Sequence, residues 1–286
     1  MLLENKKPYN KLCVKDKLNI IKVYFERKEL EFMELSNLLG VSKRSILRVL
    51  KESKINTRRK NRYTLNDSFF EVIDNEEKAY ILGLIYADGF VGDDHFNNII
   101  LGLNDQELVE QVARIFNFTG EIRKGKKGGF QNSKASFILN FSSKKMATDL
   151  RNLGLYPNKS LSLNNLPTIK EELFRHFVRG YFDGDGSIIL SNHTSYHKVG
   201  GIIKRYEYPA YTFMLLGTKQ FLINIISNTN VEHYQITNTK TEEIKCLRVC
   251  AKCEFKELFE YLYGNSNIYL KRKYDKWLNV LSAFMM

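Results

Sequence analysis

The sequence predicts an α+β fold: two pseudo-symmetric αββαββα repeats whose sheets form a saddle, preceded by a small all-α domain. Three observations predict it. A nine-residue apolar segment ending in Asp-Gly occurs twice, at residues 81–89 and 178–186, with its acids 97 positions apart (185 − 88). Helix-period and strand-period runs follow each copy in the same order. The first 62 residues carry a charge pattern and a hydrophobic spacing of their own. These set boundaries at 1–62, 63–162 and 163–286.

The first segment holds 17 Lys and Arg against 7 Asp and Glu, +10 of the chain's formal +12, which leaves +2 for the other 224 residues. Between Phe32 and Leu50 the apolar residues Leu35, Leu39, Val41, Ile46 and Val49 surround Gly40. That spacing predicts a helix-turn-helix, with glycine in the turn and Ser42 capping the second helix. Lys43, Arg44, Ser45 and Arg48 would then face a DNA major groove. A plain helical hairpin with solvated charges is the alternative. Arg58, Arg59, Lys60 and Arg62 follow as a basic run without apolar periodicity, suited to a phosphate track or a minor groove and equally to a solvated linker.

In the first repeat the patterns predict a helix near 75–88, a strand at 98–103 and a helix at 105–116. A Gly- and Lys-rich hairpin at 120–129, a strand at 135–141 and a helix at 143–153 complete it. In the second, strands are expected at 187–190 and 208–216, a helix at 219–227, strands near 234–237 and 245–249, and a helix at 255–263. Each half reads as a helix layer under a sheet whose polar face turns outward.

Within the duplicated segments, Gly83 with Ala87 and Gly180 with Gly184 lie four residues apart, on one side of a helix. Small residues there let a partner helix approach closely. Packed side by side in the same sense, the two helices would bring Asp88 and Asp185 together at their C-termini, where carbonyls already carry partial negative charge. Two acids so placed must share a proton or be held by a hard divalent cation, Mg²⁺ or Mn²⁺.

A pI near 9.3 favours phosphate backbones. On the outward face the first repeat offers Arg123, Lys124, Lys126 and Lys127, and the second His193, Tyr196, His197, Lys198, Lys204 and Arg205. A β-ribbon carrying such side chains can read base edges and hold phosphates of double-stranded DNA.

The two nonapeptides, with the approaches Phe70-Glu-Val-Ile-Asp-Asn-Glu-Glu-Lys-Ala-Tyr80 and Glu172-Leu-Phe-Arg-His-Phe-Val-Arg-Gly180, resemble the motifs of the LAGLIDADG homing endonucleases over roughly residues 68–280. The resemblance implies that Asp88 and Asp185 bind the catalytic metal, helped by the carbonyls of Ala87 and Gly184. It implies that Asp183, at the sixth motif position, caps or packs instead. It places Lys159 and Lys273 in the cleavage pocket, with Lys271 competing for the second position. The strand-to-helix junctions, Leu103-Asn104-Asp105 and Gly217-Thr218-Lys219, lack the glutamine that positions water in some members, leaving Asn104 and Thr218 as substitutes. The implied activity is a metal-dependent double-strand break in a long, roughly palindromic site, made by a monomer and serving the spread of an intron, intein or freestanding gene. A non-cleaving transcription regulator on the same fold is an alternative, disfavoured because both acids are kept. A maturase binding intron RNA is another, against which no residue speaks.

Other constellations point nowhere. Cys246, Cys250 and Cys253 lack a fourth ligand nearby, and with Cys13 read as reduced thiols. The five histidines show no ligand spacing. With neither a signal peptide nor an apolar run of ~18 residues, an intracellular, cytoplasmic protein in a bacterial or phage-like setting is expected, without membrane association.

Overall fold

A computed structural model describes residues 6–27, 30–55, 57, 63–125 and 135–283. The chain divides into two compact units, Met1–Arg62 and Tyr63–Met286.

The first unit begins with a 3₁₀ turn, Tyr9–Lys11, and holds three helices: α1 (Val14–Glu26), α2 (Phe32–Leu39) and α3 (Lys43–Glu52). Gly40 takes the left-handed conformation at φ 64°, which a side chain would resist, and so turns the chain sharply out of α2. Ser42 then caps α3 by accepting the Ser45 amide at 3.2 Å. Ile20, Phe32, Leu35, Val41, Ile46, Val49 and Leu50 form the core. Helix α1, unforeseen from the sequence, places Ile20 on that core and leaves Val14 and Leu18 in solvent, which obscured its periodicity.

The second unit repeats one order twice. The first copy runs α4 (Glu76–Asp88), β1 (Gly89–Val91), β2 (Asn98–Leu103), α5 (Gln106–Ile115), β3 (Arg123–Lys124), β4 (Phe137–Ser142) and α6 (Lys144–Asn152). A short turn, Lys159–Leu161, leads on to α7 (Glu171–Asp185), β5 (Gly186–Val199), β6 (Ile202–Thr218), α8 (Lys219–Ile226), β7 (Gln235–Asn238), β8 (Ile244–Val249) and α9 (Lys252–Tyr263). Two four-stranded antiparallel sheets result, ordered β1-β2-β4-β3 and β5-β6-β8-β7. The architecture is α+β, with the αββαββα order of the sequence expectation. Alternation decides the faces: Ile99, Leu101, Leu103, Leu139 and Phe141 point into the helices, while Ile100, Asn140 and Ile138 lie on the opposite face.

Two features depart from expectation. A further helix, α10 (Lys271–Ala283), follows the second repeat and inserts Trp277 among Phe182, Phe213, Phe255 and Phe259. Its apolar face is narrow and opens on three cations, which hid it. The strands expected at 187–190 and 208–216 are the base of one long ribbon, paired from Gly186↔Leu215 to Val199↔Ile202. Beyond Leu190 both faces of the ribbon are largely exposed, so no alternation of apolar and polar residues marks it.

The insertion can be counted. Gly89 pairs with Leu101 and Gly186 with Leu215, so the first partners are 97 apart and the second 114, making the second hairpin 17 residues longer. Divided over two strands, this extends the hairpin by roughly 28 Å at ~3.3 Å per residue. The turn at its tip is Gly200-Gly201, at φ 59° and 84°.

Candidate active site

The site is built by two helices in parallel. A Cβ on Gly83 would meet Tyr181 N at 2.7 Å and overlap the Phe177 carbonyl, and one on Gly180 would overlap the Tyr80 carbonyl. Tyr80 and Phe177 are themselves 97 positions apart, so the contact is reciprocal about a pseudo-twofold axis. One turn on, a Cβ at Gly184 would stand 3.0 Å from Asp88 Oδ2. Close packing therefore carries the last turns of α4 and α7, and with them Asp88 and Asp185, to one midline.

Both acids sit where the helix stops. The amides of Gly89 and Gly186 close the last turns onto Ile85 O and Phe182 O, and the chain passes directly into β1 and β5. Asp88 is solvent-accessible and Asp185 half-buried. Removal from water raises both carboxyls, Asp185 to about 6 with help from the charge of Asp88, while Lys273, Lys159 and Arg272 pull Asp88 back down. Among the described residues, no side chain donates a hydrogen bond to either carboxylate.

Lys159 and Lys273 are buried, the first against the end of α4 and the second against the end of α7. Lys159 Nζ donates to Gly89 O at 2.7 Å. Lys273 Nζ lies 2.6 Å from Gly186 O, 2.7 Å from Phe182 O and Asp183 O, and 3.2 Å from Gly184 O. These carbonyls are the negative end of the helix, so a cation there completes the backbone hydrogen bonding. Burial lowers both lysines, Lys273 to about 8; Asp185 and Asp88 oppose the shift at Lys159, and Asp183 first, then Asp88 and Asp185, oppose it at Lys273. Lys271, the competing candidate, is exposed, whereas Lys273 is buried.

Asp183 serves packing. It is buried, accepts from Tyr80 Oη at 2.8 Å, Tyr263 Oη at 2.7 Å and Leu270 N at 2.7 Å, and so ties α4 and α9 to the entry of α10. Arg179, fully buried one turn earlier, binds Glu76 at 2.6 Å, His176 at 2.8 Å and the carbonyls of Leu262 and Ile268. The sequence reading missed this network, although an Arg and an Asp in a helix that packs on every side are a signal of paired burial.

Of the two substitutes for glutamine, Thr218 is committed elsewhere: its hydroxyl caps α8 and donates to Leu163 O at 2.6 Å. Asn104 is exposed and lines a cavity of about 480 Å³ with Asp105, Leu270, Lys271 and Arg272.

On the outer faces, Arg123, Lys124, His193, Lys198, Lys204 and Arg205 are exposed. His193 stacks on Tyr208, and Arg205 pairs with Glu207. Lys126 and Lys127 lie outside the described residues, as do Arg58, Arg59, Lys60 and Arg62. In the first unit Lys43 and Arg44 are exposed, but Ser45 is buried, its hydroxyl 2.7 Å from that of Ser42. The expectation that Ser45 faces a groove is therefore corrected: the turn that caps α3 rotates it inward. Arg48 is exposed yet engaged, over the Tyr9 ring at 4.0 Å and bonded to Glu52 at 3.2 Å.

Among the described residues there is no cluster of three or more His, Cys, Asp or Glu able to hold a metal, and no helix long and apolar enough to cross a membrane. Cys246 is buried, whereas Cys13, Cys250 and Cys253 are exposed free thiols.

No family model matches the chain. An uncharacterised protein of Methanocaldococcus jannaschii is 26% identical over 163 residues, 53% of this chain and 57% of that protein. The chain thus spans little more than half of that relative. Solved structures similar in fold include the LAGLIDADG homing endonuclease I-LtrWI bound to target DNA, at 13% identity, TM-score 0.49, covering 77% of this chain and 92% of that one. The meganuclease I-AabMI bound to uncleaved DNA follows at 12% identity and TM-score 0.47, covering 74% and 92%. I-SmaMI bound to cleaved DNA gives 14% identity and TM-score 0.44 over 75% and 91%. At such values the weight of the functional reading falls on the residues of the site.

Proposed function

We propose that this chain is a DNA endonuclease of the LAGLIDADG type, dependent on a divalent cation held by Asp88 and Asp185. The observation that carries the reading is the reciprocal glycine packing of α4 and α7, which brings one carboxylate from each repeat, Asp88 exposed and Asp185 half-buried, to a shared midline. The donor set fits a hard cation. Two carboxylates lie beside the carbonyl ends of two helices, with no protein donor on either acid among the described residues, and the carbonyls of Ala87 and Gly184 adjoin them. The Gly184 carbonyl is shared with Lys273.

A cation bound there would act as a Lewis acid on the phosphodiester and lower the pKa of a bound water. The chain supplies the rest. Asp88 and Asp185 fix the axis on which the phosphate must lie. Lys159 and Lys273 offset the negative helix ends, so the duplex backbone meets less repulsion. The exposed cations of both sheets, Arg123, Lys124, Lys198, Lys204 and Arg205, hold flanking phosphates, with Lys43 and Arg44 of the first unit adding a separate contact. In hydrolysis, a bond forms between water oxygen and phosphorus, one ester P–O bond breaks, and the proton from water ends on the solvent or the leaving oxygen. Because the repeats differ in sequence, the site read is long and only roughly palindromic.

The non-cleaving regulator is less well supported, since such a protein needs neither acid, yet both are kept at the midline. The test is selection of cut sequences from a randomised duplex library with Mg²⁺ present. Cleavage that stops with chelator is expected. Stable binding to selected duplexes without any cleavage in Mg²⁺ or Mn²⁺ would overturn the proposal.

A further inference from the structure

The midline is not symmetric, and the difference lies at Arg272. Arg272 Nε donates to both carboxylate oxygens of Asp105, at 3.1 and 2.9 Å. Asp105 ends the first repeat's β2-to-α5 junction, whereas Arg272 stands in the first turn of α10 behind the second repeat, so the pair bridges the repeats. Among the described residues, nothing in the protein accepts from its two Nη groups. The side chain is half exposed, beside the cavity that Asn104 and Lys271 line. Arg272 directly precedes Lys273, whose ammonium meets the carbonyls of Gly184 and Gly186 on either side of Asp185.

Among the described residues, the other half has no such device. Lys159 and Lys273 are 114 apart, as are Leu101 and Leu215, and the same offset aligns Arg272 with Asn158 and Asp105 with Lys219. Asn158 carries no charge and sits in a left-handed turn at φ 59°. Lys219 is exposed, and its neighbour Thr218 is spent on Leu163 and Asn164.

We propose that Arg272, oriented by Asp105, binds a non-bridging phosphate oxygen at only one of the two scissile bonds, so that the two DNA strands are hydrolysed at unequal rates. The inference rests on the endonuclease reading. A guanidinium held at one edge by a carboxylate presents its other edge as a fork that matches two phosphate oxygens. Such a contact strengthens as charge spreads over those oxygens in the transition state. Asp105 spares the arginine the entropy of being fixed on binding, and Asn158 can offer nothing equivalent.

The experiment follows each strand of a selected duplex with its own end label, in single turnover with Mg²⁺. Wild-type protein should cut one strand faster. Arg272→Gln should slow that strand about 10- to 100-fold, the loss of one charge-assisted hydrogen-bonded contact, and leave the other within about 3-fold. Arg272→Lys should recover part of the rate, and Asp105→Asn, which keeps the cation but frees it, should fall between. Unchanged urea midpoints exclude unfolding. Equal slowing of both strands, or of neither, overturns the inference while leaving the endonuclease reading intact. If the wild-type protein cuts no duplex, the endonuclease reading fails first, and this inference with it.

Discussion

No side chain fits between Gly180 and the carbonyl of Tyr80, and the same holds for Gly83 against Phe177, its pseudo-symmetric counterpart. The repeats are joined through backbone. Gly180→Ala or Gly83→Ala is therefore expected to cost at least the ~1–3 kcal/mol of an overpacked core, since backbone on the far side cannot rotate away. Gly102 serves as control, because a Cβ there meets only Ile138, at 3.8 Å. Urea denaturation should show a large loss for the first two variants and under ~0.5 kcal/mol for Gly102→Ala.

Replacing one carboxylate should separate binding from chemistry. Asp88→Asn and Asp185→Asn keep the shape of the site and remove charge that would hold a cation. Duplex affinity in gel shifts is expected to stay within about threefold, while cleavage falls by roughly 10³ or more, a transition-state loss of ~4 kcal/mol. A variant cleaving within tenfold of wild type would remove that aspartate from the site.

The two buried lysines should differ in weight. Lys273 serves four carbonyls and Lys159 one. Methionine at either place leaves carbonyls without a donor, at ~1–3 kcal/mol for each group that water cannot reach. Lys273→Met is expected to lower stability more than Lys159→Met, and both should slow cleavage. The reverse order by denaturation would contradict the geometry.

His176 should give the fold a pH slope. Its pKa is pushed down to about 4 by burial first, then by Arg179 and Arg175, with Glu76 opposing. Neutral Nδ1 faces Arg179 Nη1 at 2.8 Å, an arrangement protonation would break. Between about 4 and the ordinary 6.5, the unfolded chain binds a proton that the folded chain does not, so stability rises with pH through this window and levels above it. Asp185, its folded carboxyl raised to about 6, contributes the opposite slope, so the His176 share is read as the difference between wild type and His176→Asn, which should amount to ~3 kcal/mol between pH 6.5 and 4. A curve of unchanged slope would remove His176 as its source.

Salt dependence tests the long ribbon. Lys198, Lys204 and Arg205 contribute three cations beyond the core of the second sheet. Changing all three to Ala should reduce the slope of log K against log salt by about 2.7, at ~0.9 per phosphate contact, and shorten the nuclease-protected region on one side only. An unaltered slope would place the ribbon away from DNA.

How much of this was legible follows from what each residue faces. The motif helices and their two acids were read from the duplicated segment itself, since α4 is buried on every side from Ala79 to Tyr86 and leaves no period, whereas the order of elements along each half could be read because burial on one face does leave one. The glycine spacing told how the helices meet because only glycine allows it. Helix α10 and the outer part of the ribbon were missed for the opposite reason: one has a narrow apolar face behind three cations, and the other has no buried face. Ser45 was misplaced because a capping turn moved it from the solvent side to the core, a rotation that spacing cannot report. The Arg272–Asp105 pair joins residues 167 positions apart and leaves no local trace at all.

The added length of the second hairpin lies wholly between Gly186 and Leu215, and the registers at both of those residues match the shorter copy. Growth at the tip has thus left the feet of the hairpin where they were. In the endonuclease proposed here, a lineage carrying this scaffold would lengthen or trim what it recognises on one flank without disturbing the chemistry at the centre, so that target preference and catalytic competence would be free to drift independently.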